Sequence, residues 1–154
     1  MIEFVGLVKS DLAALYGYAK WTALLTNPSA TAALVIRLAT RMPRALRPLA
    51  RMVGVLFFGV DVAAHARIGA GVRLPHPVGI VIGDGVEIGS NATIYQCVTL
   101  GSLRGGYPKI GSDVFLYPSA VVVGAIFVGD GAKIGALTYV DKDVAPGAVV
   151  KRDS

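Results

Sequence analysis

The chain has 154 residues, with two histidines, His65 and His76, and a single cysteine, Cys97. His76 stands in "VRLPHPVG" (residues 72–79), between two prolines in a stretch of small and aliphatic residues. An imidazole titrates near neutrality, so it can take a proton from a reacting hydroxyl and return it. The same residue between prolines could merely shape a turn. The choice depends on what holds it. One cysteine allows no intrachain disulfide, which fits a reducing cytoplasm.

The positioning elements follow from a change of period. From residue 60 onward, aliphatic residues recur every six positions: Val62, Ile68, Leu74; then Ile82, Ile88, Ile94, Leu100; then Ile110, Leu116, Val122, Val128, Ile134 and Val140. Four positions after each stands a small or β-branched residue, except after Leu100, where Arg104 marks a loop. Neither a helix nor an ordinary strand has a period of six. This hexapeptide repeat resembles the left-handed parallel β-helix of hexapeptide acyltransferases. In that fold each hexad forms one flat side of a triangular prism, aliphatic residues point inward, and glycines serve the corners. "GDGVEIG" and "GDGAKIG" are then successive hexads and not dinucleotide loops, since no helix follows either. Cys97 is expected to point into the prism as core.

The first third reads differently. Ser10 or Asp11, and Asn27 with Pro28, are helix start signals, and Pro43 interrupts before "RALRPLARMVGVLFF". We expect a helical annex over residues 1–58 and the β-helix over 59–150. The formal net charge is +5, and all of the basic excess lies before residue 52. Arg37, Arg41, Arg44, Arg47 and Arg51 follow helical spacing and read as a solvated face, with peripheral membrane contact as the alternative. No nucleic-acid reading motif accompanies them. The chain is 54% hydrophobic with 19 glycines, which points to apolar surface facing another subunit. No apolar run reaches the roughly 18 residues of a membrane span, and "MIEFVGLVKS" does not read as a secretory signal.

A regular prism has no pocket, so breaks in the period are the candidate site. Two residues are extra between Leu74 and Ile82, where His76 sits, and four are extra between Leu100 and Ile110, in "GSLRGGYPK". These insertions could meet along one groove.

Residues 59–111, from "GVDVAAHARIG" through "LPHPVGIVIGDG" and "IYQCVTLGS" to "GYPKIG", resemble serine O-acetyltransferases. The likeness extends to "VGDGAKIGA" and "DVAPGAVV". It implies an acetyl-CoA-dependent O-acetyltransferase, trimeric, with sites at subunit interfaces. His76 matches the catalytic base and Asp61 the aspartate that orients it, 15 residues earlier, close to one coil. Lys109 matches the family lysine in "HPKIG". With Lys133, and Arg104 as a further candidate, it could hold the phosphates of acetyl-CoA. Gly101 and Ser102 stand where the pantetheine arm is expected. His65 matches no functional position. The family's aspartate before the histidine is Pro75 here, and its "RH" is Gly106–Tyr107. Pro75, Tyr107 and Arg104 therefore line the expected acceptor side, and these departures leave the acceptor open between serine and a sugar or other hydroxyl compound. The chain ends "VVKRDS" in place of the family tail that docks a sulfhydrylase, so no such complex is expected.

No metal is expected. The γ-type carbonic anhydrases of this fold need three histidines for zinc. A non-catalytic β-helix scaffold is the remaining alternative.

Overall fold

The computed structural model describes residues 2–152. The helices are α1 (Ile2–Tyr16), α2 (Ala23–Thr26), α3 (Pro28–Arg41) and α4 (Arg47–Phe58), with a 3-10 turn at Arg44–Leu46. Asn27 caps α3 by accepting from the Ser29 amide at 2.8 Å, with Pro28 in the first turn. Gly59, at φ +61°, closes α4 in the left-handed region that a C-terminal cap requires.

Thirteen short strands follow in chain order: β1 (Val60–Val62), β2 (Arg67–Ile68), β3 (Ile80–Ile82), β4 (Glu87–Ile88), β5 (Thr93–Ile94), β6 (Thr99–Gly101), β7 (Lys109–Ile110), β8 (Phe115–Leu116), β9 (Val121–Val123), β10 (Phe127–Val128), β11 (Lys133–Ile134), β12 (Tyr139–Val140) and β13 (Val149–Val150). All pair in parallel. They form three sheets, ordered β1-β3-β6-β9-β12, β2-β4-β7-β10 and β5-β8-β11-β13. Each sheet takes every third side of the winding, with the single-residue bridges Arg73–Thr93 and Val128–Val144 standing on the two sides that carry no named strand, which is the geometry of a three-sided parallel β-helix. Leu74, Ile82, Ile94, Leu100, Leu116 and Ile134 are all at most 1% exposed along its axis.

Register records each break in the period. Regular coils advance 18 residues, as in Val81 opposite Thr99. Val60 lies opposite Ile80, a coil of 20, and Glu87 opposite Lys109, a coil of 22. A third break was not foreseen: Lys133 lies opposite Val149 and Val128 opposite Val144, a coil of only 16. Val144 fills the inward strand position itself and is not the fourth-position residue of the Val140 hexad. The Asp143 carboxylate accepts from the Phe127 amide at 2.7 Å and shortens that corner.

Cys97 is a second correction. It is exposed, in the left-handed region at φ +58°, in a corner column with Gly79, Ser119 and Leu137. Inward slots belong to the aliphatic residue and the residue four later. Cys97 falls between Ile94 and Val98, at the corner.

The helices close the first coil. Ala32, Ala33 and Ile36 of α3 share one core with Val60, Val62 and Ile68. Arg37 is fully buried and grips Asp11 with two hydrogen bonds of 2.8 Å; it also donates to the carbonyls of Ile68 and Gly69 at 2.7 Å. Asp11 accepts in addition from the Val72 amide. The arginine stripe is therefore not one solvated or lipid-facing surface. Arg47 donates to the carbonyls of Met42 and Ala64, Arg51 binds Asp61, and Arg41 pairs loosely with Glu3. Pro43 ends the continuity: Arg37 and Arg41 lie on α3, Arg44 is exposed in the 3-10 turn, and Arg47 and Arg51 lie on α4. No described helix is long and apolar enough to cross a membrane.

Candidate active site

His76 sits at the corner leading into β3. One coil on, Ile94 pairs with the Arg73–Leu74 strand end and Cys97 donates its amide to the Val78 carbonyl. Four residues, Pro75 to Val78, thus span the corner that Tyr95 and Gln96 span in the next coil. The excess length bulges outward and leaves His76 exposed. Pro75 and Pro77 stiffen the bulge, and a turn bond from the Val78 amide to the His76 carbonyl, 2.9 Å, closes it. Gly79 enters β3 at φ +68°, with its α-carbon facing Cys97 so closely that a Cβ would stand 3.1 Å from the sulfur.

The annex meets this bulge. Ser29 Oγ donates to the Pro75 carbonyl at 3.3 Å, and Asn27 Nδ2 donates to the Tyr16 hydroxyl at 2.5 Å. Beside them lies an apolar cavity of about 430 Å³ between Pro28, Leu56, Phe57 and the Pro77–Val78 step. Below the bulge, the buried Oε1 of Gln96 has no hydrogen-bond partner among the described residues. Sequence reading overlooked Asn27 and Ser29, which passed as a helix start, and Gln96, which passed as an unremarked member of "IYQCVTL".

Asp61 lies on β1 opposite Val81. Its carboxylate takes a bidentate pair from Arg51, Nε to Oδ1 at 2.5 Å and Nη2 to Oδ2 at 2.9 Å. No hydrogen bond joins it to His76 among the described residues. The Arg51 guanidinium is held charged above its ordinary range, first by the hydrogen bond to Asp61 and then by that carboxylate's charge. Next to it, Asp84 accepts from the His65 ring and amide, and the ring hydrogen bond in particular holds its carboxyl below the usual range.

The second insertion is an ordered hairpin. Leu103 and Gly106 exchange both backbone bonds around Arg104 (φ +53°) and Gly105 (φ +81°), a turn with two positive φ values of the kind that suits tight hairpins. Arg104 occupies the exposed tip. Tyr107 lies flat over the corner at Gly83–Gly85, where a Cβ on either glycine would come within 2.9 Å of its ring. Gly101 and Ser102 lead into the hairpin.

The two insertions do not meet within one chain. The His76 bulge precedes β3 and the hairpin follows β6, and these neighbours share one sheet. The loops occupy opposite edges, separated by the strand width, on the order of 10 Å or more. The lysines are likewise apart. Lys109 lies on the β2-β4-β7-β10 face, in a groove of about 410 Å³ with Arg41, Arg67, Glu87 and Phe127. Glu87 there stays ionised below its ordinary range, chiefly through the Arg67 hydrogen bond and then the charges of Arg67 and Lys109. Lys133 lies on the third face, 5.8 Å from the Phe115 ring centre, with Arg73 at 5.9 Å. No group of three or more metal-ligating side chains occurs among the described residues.

A three-sided parallel β-helix of hexapeptide repeats, with a histidine bulged from one corner and a hairpin at the next, defines the hexapeptide-repeat acyltransferase class. No family model matches the chain. A serine acetyltransferase of Helicobacter pylori is 39% identical over 141 residues, covering 84% of this chain and 80% of that protein. One from Mycobacterium tuberculosis is 44% identical over 96 residues, covering 60% of this chain and 42% of that protein. The crystal structure of Neisseria gonorrhoeae serine acetyltransferase in complex with serine superposes with TM-score 0.89 at 32% identity, over 99% of this chain and 68% of that one. Soybean serine acetyltransferase complexed with serine gives TM-score 0.86 at 33% identity, over 97% of this chain and 67% of that one. The chain belongs to the serine acetyltransferase family and is an O-acetyltransferase. It spans most of the Helicobacter relative but under half of the Mycobacterium one.

Proposed function

We propose that this protein transfers an acetyl group from acetyl-CoA to the hydroxyl of L-serine or a closely similar small alcohol, with His76 as the base. The imidazole removes the hydroxyl proton while the oxygen attacks the thioester carbonyl. Collapse of the tetrahedral intermediate breaks the C–S bond, and the imidazolium returns the proton to the departing thiolate. An alcohol is a poor nucleophile near neutral pH, so the base is where rate is gained. Asp61 is given the role of orienting the imidazole. The observation that carries the reading is the exposed histidine, fixed by prolines at the one corner bulge next to the helical cap.

Tyr107 and Arg104 stand too far from His76 to serve the same site in one chain. They complete the site of a neighbouring copy in a homotrimer, where the hairpin edge of one prism faces the bulge edge of the next. Pro75 and Tyr107 border the acceptor. Gly101 and Ser102 contact the pantetheine arm through their backbone, and Lys133 or Lys109, on different faces, neutralises the phosphates. The single exposed thiol and the water-soluble substrates fit a cytoplasmic reaction.

A second reading has one specific support. Pro75 and Gly106 replace the charged residues expected around an amino acid's own charges, which favours an uncharged acceptor such as a sugar hydroxyl. Thiol release from acetyl-CoA, followed with L-serine, homoserine and common hexoses, decides between them. The proposal expects the highest kcat/KM with L-serine, and a hexose turned over better would transfer it to the second reading. No acceptor-dependent release at all would overturn both.

A further inference from the structure

Asp61 is the carboxylate assigned to steer the base, yet its two oxygens are both engaged by Arg51, at 2.5 and 2.9 Å. A bidentate guanidinium–carboxylate fork fixes the rotation of the carboxylate plane, and each oxygen retains a lone pair for another donor. Arg51 is delivered by α4, which runs through the Gly59 cap directly into β1, so donor and acceptor ride on one rigid connection. The pair is also partly open to water, with side-chain exposures of 49% and 34%. Such a pair contributes little to folding stability, and its geometry calls for another explanation.

We propose that Arg51 is a positioning residue for acyl transfer, clamping Asp61 in the orientation and charge balance from which it steers the imidazole of His76. The inference rests on the role given to Asp61 above. The charged and titratable groups around the pair are few. Arg47 of α4 and His65 lie at the corner after β1, and Asp84, bound to His65, at the corner after β3 under the Tyr107 ring. Cys97 lies two coils from Asp61, stacked on Gly79. None of these, apart from Arg51, hydrogen-bonds the Asp61 side chain.

The sign of the effect follows from charge. Arg51 offsets part of the Asp61 charge and so limits how strongly that carboxylate stabilises the imidazolium. Without Arg51 the carboxylate is less well oriented and attracts the imidazolium more strongly, so the base keeps its proton to higher pH.

The test compares wild type with Arg51→Gln, Arg51→Lys, Asp61→Asn and the Arg51→Gln/Asp61→Asn pair, each checked by circular dichroism for wild-type melting. The readouts are kcat, the KM for acetyl-CoA and the pH profile of kcat/KM. Arg51→Gln is expected to lower kcat about tenfold, roughly one oriented charge-assisted hydrogen bond, with KM for acetyl-CoA unchanged and the acidic limb moved to higher pH. Arg51→Lys should restore the limb and part of kcat, and Arg51→Gln should add nothing in the Asp61→Asn background. An Arg51→Gln enzyme with wild-type kcat and pH profile, while Asp61→Asn is impaired, would overturn this inference alone. An Asp61→Asn enzyme as active as wild type would overturn the role of Asp61 together with it.

Discussion

His76 stands in the bulge that two extra residues make, and Gln96 lies in the matching corner one coil on. In a regular corner the chain turns in two residues, as at Tyr95–Gln96. Pro75 to Val78 needs four, and the surplus carries the imidazole into solvent while the prolines keep it from wandering. Gln96 sits beneath with a buried acceptor unspent, which costs on the order of 1–3 kcal/mol when no partner arrives. Replacing it with an apolar residue of similar size should therefore leave stability unchanged or improve it: Gln96→Met should melt at or above the wild-type temperature by calorimetry. A drop of several degrees would mean that the oxygen has a partner in solution. Asp84 and Glu87 behave oppositely to a base. Their carboxyls are held below the ordinary range by His65 and by Arg67, so their small contribution is complete above the usual carboxylate pKa. It disappears only as pH falls through the lowered values. Asp84→Asn should accordingly abolish part of the stability difference between neutral pH and strongly acid pH, below about 4 where carboxylates ordinarily titrate, and a pH-independent loss would count against the pairing.

Besides the apolar packing of α3 on the first coil, the helical cap is tied to it by a buried ionic knot. Arg37 and Asp11 bind each other and, between them, the backbone of Ile68, Gly69 and Val72. Breaking one partner of a buried pair leaves an uncompensated charge, and such changes cost about 3–5 kcal/mol. Arg37→Met should lower the unfolding free energy measured by denaturant titration by that amount, and Arg37→Met with Asp11→Leu by less. A loss under about 1 kcal/mol for the single change would show the pair to be hydrated. This knot shows where sequence reading stops. The six-residue period specified the β-helix because inward positions repeat by geometry, and the skipped beats located both insertions. Arg37 kept the same spacing as four surface-seeking arginines, and only tertiary placement separated it from them. Cys97 was misassigned for a related reason: hydrophobicity put it in the core, whereas its place in the hexad put it at a corner. The shortened coil at Val144 escaped because Val144 satisfies either position.

One prism presents the bulge and the hairpin on opposite edges of a sheet, so the proposed trimer would build each site from two copies placed edge to edge. A heterologous contact closes into a ring when its rotation closes. If His76 from one copy and Tyr107 from the next share a site, mixing has a distinctive result. His76→Ala and Tyr107→Ala proteins, each weakly active alone, should regain activity when denatured and refolded together, up to about one quarter of wild type for random trimers. No recovery in verified mixed trimers would place both residues in separate roles. The exposed apolar side chains Val78, Leu103 and Tyr139 (61%, 36% and 59% exposed) lie along these edges and the sheet between, which agrees with a face meant for covering.

The central claim is that His76 is the base of an acyl transfer. Its most direct test is the rate of thiol release from acetyl-CoA by His76→Ala and His76→Gln, in the presence of saturating acceptor, with folding and oligomeric state matched to wild type. Loss of the base should lower kcat by about 10²–10⁴-fold while leaving the binding of acetyl-CoA intact. Release at the wild-type rate from either variant would contradict the account.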